Sequence, residues 1–198
     1  MTRRKTWLVP VLSLAMAGLV GCTTTHGQTY RSAEWAAGRP LGRVLVITPP
    51  YPAGEGKPQP GKDEQIRAAI REALARVPGT TVVDAAPPAA TGADREPGQP
   101  VSDAKAIAAA RAADAETVCV VTFGAFGGRY LLTALPPGWD SRTTVQYALR
   151  VLDANTGEVL VDSVRERTAG GYLAIMTATY PADLTADLAA VLAAPQPH

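Results

Sequence analysis

The sequence is poor in the residues that staple or metallate small domains. Its 198 residues hold two cysteines and two histidines, which excludes a disulfide framework and a Cys/His zinc module. Charge of one sign is also lacking: 19% of residues are charged and the net charge is +1. Nucleic-acid binding therefore has no basic footprint here. No apolar run reaches the roughly 20 residues of a comfortable membrane span. What is present is 46% apolar residues, too many for a disordered chain, in a length that suits one domain. No motif calls for a cofactor or a metal.

Arg3, Arg4 and Lys5 form a basic start, Trp7 to Val20 an apolar run, and Leu19-Val20-Gly21-Cys22 closes it. A basic start, a short apolar stretch and a small residue before the cut read as a secretory signal over residues 1–21. With the cysteine directly after it, the pattern resembles a bacterial lipobox. That resemblance implies cleavage before Cys22 and a diacylglycerol on its thiol; an ordinary signal peptide or an N-terminal anchor helix is the alternative. Losing residues 1–21 removes three basic residues and no acidic one, which turns the side-chain charge from +1 to −2. Thr23 stands where inner-membrane lipoproteins tend to carry Asp. By resemblance it points to the outer membrane of a two-membrane bacterium, with the domain in the periplasm. Cys119, in the β-prone run Thr117-Val118-Cys119-Val120-Val121, then has no partner and reads as a buried structural thiol. His26 and His198 lie too near the ends to activate it.

Residues 22–41 are polar and small and read as a lipidated tether. A single domain is expected over 42–193, with a tail at 194–198. Gly42–Thr48 reads as a first strand, and the five prolines of 49–61 as a loop. Ile66, Ile70, Leu74 and Val77 mark one face of a helix over 63–77, with Asp63 as its cap and Pro78-Gly79 as its stop. Thr80–Asp84 is a second strand, and 85–101 another proline-rich loop. Ser102 caps an alanine-rich helix to Ala113. Glu116–Phe126, apolar on both faces, reads as a central strand. Residues 143–153 alternate, with Val145, Tyr147, Leu149 and Val151 on one face. Asn155-Thr156-Gly157 turns the chain into a partner strand at 158–168. Pro181 opens a last helix with Leu184, Leu188, Val191 and Leu192 on one face. The order β-α-β-α-β-β-β-α predicts an α/β (α+β) sandwich, a mixed β-sheet with helices packed on it.

Chemical motifs are scarce. Gly56 to Lys62 has phosphate-loop spacing, but Asp63 stands where a hydroxyl should hold magnesium, and Pro58 and Pro60 remove backbone donors. Asp140, Asp153 and Asp162 are catalytic candidates by type alone. Asp153 most simply stabilises the turn after it, and Asp162 and Glu166 face solvent. No G-x-S-x-G occurs, and no domain histidine could serve as base. The expectation is no enzyme. The informative segment is 127–139, which is too apolar for a bare turn. Its Tyr130, Leu132, Leu135 and Trp139 either cover the domain's own sheet end or form a partner surface, where aromatics are over-represented. Gly171–Met176 is a second apolar stretch with the same ambiguity.

The strand GRVLVIT, the run 112–124 and Tyr147-Ala-Leu-Arg-Val-Leu-Asp-Ala-Asn-Thr-Gly-Glu-Val-Leu160 together resemble small envelope lipoproteins. These include the curli-secretion (CsgG) type, the penicillin-binding-protein activator (LpoB) type and TolB N-domain-like folds; the likeness is closest to uncharacterised lipoproteins of that plan. The resemblance implies an α/β domain that binds other envelope components without catalysis, as part of a cell-wall synthase, exporter or surface-polymer machine. The implied partners are the membrane, through lipid on Cys22, and an envelope protein, with a homo-oligomer left open. The alternatives are a carboxylate-dependent enzyme on envelope polysaccharide and a small-ligand module near Tyr130 and Trp139. The curli type builds a pore from two long hairpins, whereas 127–142 reads as a loop too short and proline-rich to cross a membrane as two strands of about 9–11 residues.

Overall fold

The computed structural model describes residues 22–48, 61–83, 101–134, 137–172 and 180–193. The signal region 1–21 and the tail 194–198 lie outside the described residues. Among the described residues, six strands and four helices follow in the order β1 (Cys22–Arg31), α1 (Ala33–Ala36), β2 (Gly42–Ile47), α2 (Lys62–Ala75), β3 (Thr80–Val83), α3 (Asp103–Ala112), β4 (Thr117–Ala134), β5 (Pro137–Asp153), β6 (Val159–Tyr172) and α4 (Tyr180–Leu192). The strands form one sheet in the order β1-β6-β5-β4-β2-β3. β2 runs parallel to β3 and β4, and the other pairs are antiparallel. This is the mixed α/β sheet that the hydrophobic patterning predicts.

Helices cover both faces. Ile66, Ile70 and Leu74 of α2 and Leu184, Leu188, Val191 and Leu192 of α4 close one core against Val44, Cys119, Val121, Val145, Tyr147, Leu149 and Val151. On the opposite face Ala106 and Ala110 of α3 pack on Leu45, Val118, Val120 and Leu152. Alanine lets this helix lie close at little cost in side-chain entropy. β4 is buried on both sides at 118–121, which is why its sequence there does not alternate.

The tether expected at 22–41 is instead part of the domain. Residues 22–31 pair with β6 from Cys22↔Gly170 to Arg31↔Val161. Ser32 then caps α1 by accepting from the Trp35 N–H at 3.2 Å, and Trp35 enters the core at 2% exposure. Arg31 Nη2 donates to the Val191 carbonyl at 2.9 Å, satisfying an orphan acceptor at the end of α4. β1 is an edge strand held by backbone bonds, so its Thr-rich polar run carries no hydrophobic alternation to betray it.

Within the loop expected at 127–142, residues 127–134 and 137–142 are also strand. β4 and β5 stay in register from Phe126↔Val145 to Ala134↔Pro137. The glycines and prolines that suggest a loop are tolerated because, among the described residues, β4 has no second partner past Val120, and Pro137 opens its strand. β6 likewise runs to Tyr172 rather than ending near 168. Asp63 is not a cap: Gly61, in the left-handed region at φ 86°, holds that position. Ser102 occupies the cap position of α3, but its side chain makes no capping bond. Among the described residues no helix is long and apolar enough to cross a membrane.

Candidate functional site

The sheet outruns its helices at one end. Gly124 is the extra residue of a register shift between Phe123 and Ala125, and such a bulge bends and twists a strand. Beyond it β4, β5, β6 and β1 continue as a four-stranded extension. Its ladder aligns Arg129 with Arg142, Arg142 with Gly170, and Gly170 with Cys22. The β4–β5 hairpin then projects past this row, pairing Tyr130↔Ser141, Leu131↔Asp140 and Leu132↔Trp139.

The sequence candidates meet here in part. Leu132 and Trp139 are register partners, and Tyr130 lies two residues before Leu132 on the same strand. Leu132 is 87% exposed, so at that position the hairpin does not cover the domain's own core. The side chains of Tyr130 and Trp139 and the whole of Leu135 lie outside the described residues. Of the second apolar stretch, Gly171 and Tyr172 end β6 and 173–176 lie outside the described residues.

A second surface escaped the sequence reading. On the face that carries α3, the helix packs mainly on β2, β4 and the near part of β5. Across the uncovered strands the register aligns Gln28, Val164, Ala148 and Thr122 in one row and Tyr30, Asp162 and Arg150 in the next. Val164 is 58% and Tyr30 57% exposed. The only hint in the sequence is an apolar Val164 inside a charged run, which is weak because isolated exposed apolar residues are common.

The titratable groups are occupied structurally. Cys119 is fully buried, and desolvation pushes its thiol up to about 12, the opposite of an activated nucleophile. Asp153 Oδ1 accepts from the Asn155 and Thr156 N–H groups at 2.6 and 2.8 Å, and its other oxygen meets Arg39. Burial raises this carboxyl, but the Thr156 N–H, Arg39 and the Asn155 N–H outweigh it and hold it below the ordinary carboxylate value. Gly157, at φ 79°, completes that turn. Asp162 pairs with Arg150 at 3.5 Å, and Arg150 with Asp103 at 3.3 Å. The side chain of Asp140 is not among those described.

One cluster was missed altogether. Asp187 of α4 is buried and accepts from the Tyr147 hydroxyl at 2.7 Å and from Arg165 Nη2 at 2.9 Å. Desolvation and the Asp187 charge raise the Tyr147 phenol above its usual value. Its legible signal is an aspartate on the apolar stripe Leu184, Leu188, Val191. Both of its partners also come from strands, so the cluster binds α4 to the sheet. No group of three or more metal-ligating side chains occurs among the described residues.

No protein-family model matches the chain, and no curated protein does. Among solved structures it is similar to the PelC dodecamer from Paraburkholderia phytofirmans, at 15% identity and a TM-score of 0.49, covering 85% of this chain and 95% of that one. It is also similar to lipoprotein GNA1162 from Neisseria meningitidis, at 19% identity and a TM-score of 0.41, covering 74% and 94%. Both TM-scores lie below 0.5.

Proposed function

We propose that this chain is a lipid-anchored envelope protein whose α/β domain binds or scaffolds an envelope assembly without catalysing a reaction. The observation that carries this reading is Leu19-Val20-Gly21-Cys22 set directly against the first residue of an ordered strand. A diacylglyceryl group on Cys22 holds the domain at the membrane with no spacer, and two acyl chains suffice for stable anchoring where one does not. Thr23 favours the outer membrane, with the domain on the periplasmic side. Cell-wall synthases, exporters and surface-polymer machines are the assemblies in question, and self-association is compatible with this role.

The non-catalytic part is supported by the carboxylates themselves. Asp153, Asp162 and Asp187 each sit against an arginine in ties that join strands, turns and helices. The two surfaces available for binding are the hairpin end around Leu132 and the open sheet face around Val164.

In-cell cross-linking from the Val164 position, read by mass spectrometry, tests the reading. One envelope protein captured in stoichiometric amount, and lost on a Val164→Glu change, is the expected result. Turnover of an envelope glycan by the purified protein, with no such partner, would instead favour the carboxylate enzyme.

A further inference from the structure

We infer that the end of the β4–β5 hairpin is a second membrane contact, passing through the headgroups into the outer acyl layer of the same bilayer that holds the lipid on Cys22. The inference rests on the proposed lipidation and names the partner of the hairpin end as phospholipid rather than protein.

Cys22, Gly170, Arg142 and Arg129 lie in one row across four strands. A lipid on Cys22 therefore puts this row at the membrane surface, with two arginine positions at the depth of the lipid phosphates. Positive charge suits that place because the phosphates there are anionic. Arg142 is exposed. Between Arg129 and Arg142 the hairpin carries one acid, Asp140, so the row and tip are net basic. Anionic headgroups attract such a cluster.

Past the arginine row the composition changes to Tyr130, Leu131 and Leu132 on β4 and Trp139 on β5. Tyrosine and tryptophan concentrate at membrane interfaces, where an apolar body and a polar edge are both satisfied. Leu132, 87% exposed, has no cover among the described residues.

Length decides how deep the tip goes. Trp139 lies three residues beyond Arg142, and Pro137 five. At about 3.4 Å per residue the hairpin extends roughly 10–17 Å past the row. The headgroup region is roughly 5–8 Å deep on each side of a hydrocarbon core of about 30 Å. The hairpin end thus crosses the headgroups and enters the outer acyl layer by at most roughly 12 Å, well short of spanning.

The chain from Cys22 onward has two tryptophans, Trp35 and Trp139, and Trp35 is buried. Quenching by phospholipids brominated on the acyl chains therefore reads Trp139. The full lipidated chain is reconstituted into phosphatidylethanolamine–phosphatidylglycerol vesicles, floated, and its emission measured. The expected result is quenching of at least half of the emission that Trp139→Phe removes, falling twofold or more in Leu132→Asp. That exposed site leaves folding intact, which the unchanged Trp35 emission checks. Flotation with Trp139 unquenched by the brominated lipid overturns the inference and leaves the Cys22 anchor standing. Failure to float, together with no acyl mass on Cys22, overturns both.

Discussion

The Tyr147 hydroxyl donates to Asp187 Oδ2 at 2.7 Å, and this bond ties the last helix to the middle of β5. Arg165 shares the same carboxylate at 2.9 Å. Tyr147→Phe removes one charge-assisted hydrogen bond and should cost about 1.5–3 kcal/mol. Asp187→Ala strands both partners and should cost more, about 3–5 kcal/mol. Urea unfolding of the two variants checks the order; equal costs would mean that Arg165 contributes nothing to the cluster.

Asp153 sets an acid limit on stability. Its folded carboxyl lies below the unfolded value. The stability it contributes is therefore complete above the unfolded value, near pH 4, and is lost as pH falls through the folded one. Asp153→Asn should be less stable than the parent at pH 7 and converge with it near pH 2. Denaturant unfolding at the two pH values checks this, and a gap of constant size would contradict it.

Trp35 tests whether the N-terminal segment belongs to the domain. Trp35→Ala should cost about 3–5 kcal/mol, as buried tryptophan truncations do. The β1 amides that bond to β6 should exchange slowly with deuterium in the parent protein. A melting temperature unchanged by the substitution, with fast exchange over 22–31, would return this segment to the role of tether.

Much of the fold was legible because burial imposed a period. Leu184, Leu188, Val191 and Leu192 lie on one helical face in the sequence and in one core in the structure. The alternation of Val145, Tyr147, Leu149 and Val151 likewise marks the buried face of β5. What escaped is backbone-driven. β1 is held by a ladder that needs no apolar alternation in its side chains, and the hairpin hides behind Gly127-Gly128 and Pro137, which an edge tolerates. Of the candidate site, Leu132 and Trp139 were named from composition. Their pairing, and their place beyond the row of Cys22, depend on a register set by the Gly124 bulge, which no local pattern announces.

Thiol counting probes both cysteines together. Cys119 is buried with its thiol raised to about 12, so it should not react with a disulfide reagent at pH 8 until the protein unfolds. A thioether on Cys22 removes the other thiol. The expected count is zero in the native protein and one in guanidinium. A native count of one rising to two would show Cys22 free.

The most direct test is the intact mass of the protein extracted from the membranes of its own cells. A chain that begins at Cys22 and carries a diacylglyceryl group is the predicted result, with Cys22→Ser leaving an uncut, unacylated precursor. A mass that retains residues 1–21, or an N-terminus at Cys22 with no acyl group, would contradict lipid anchoring and the envelope role built on it.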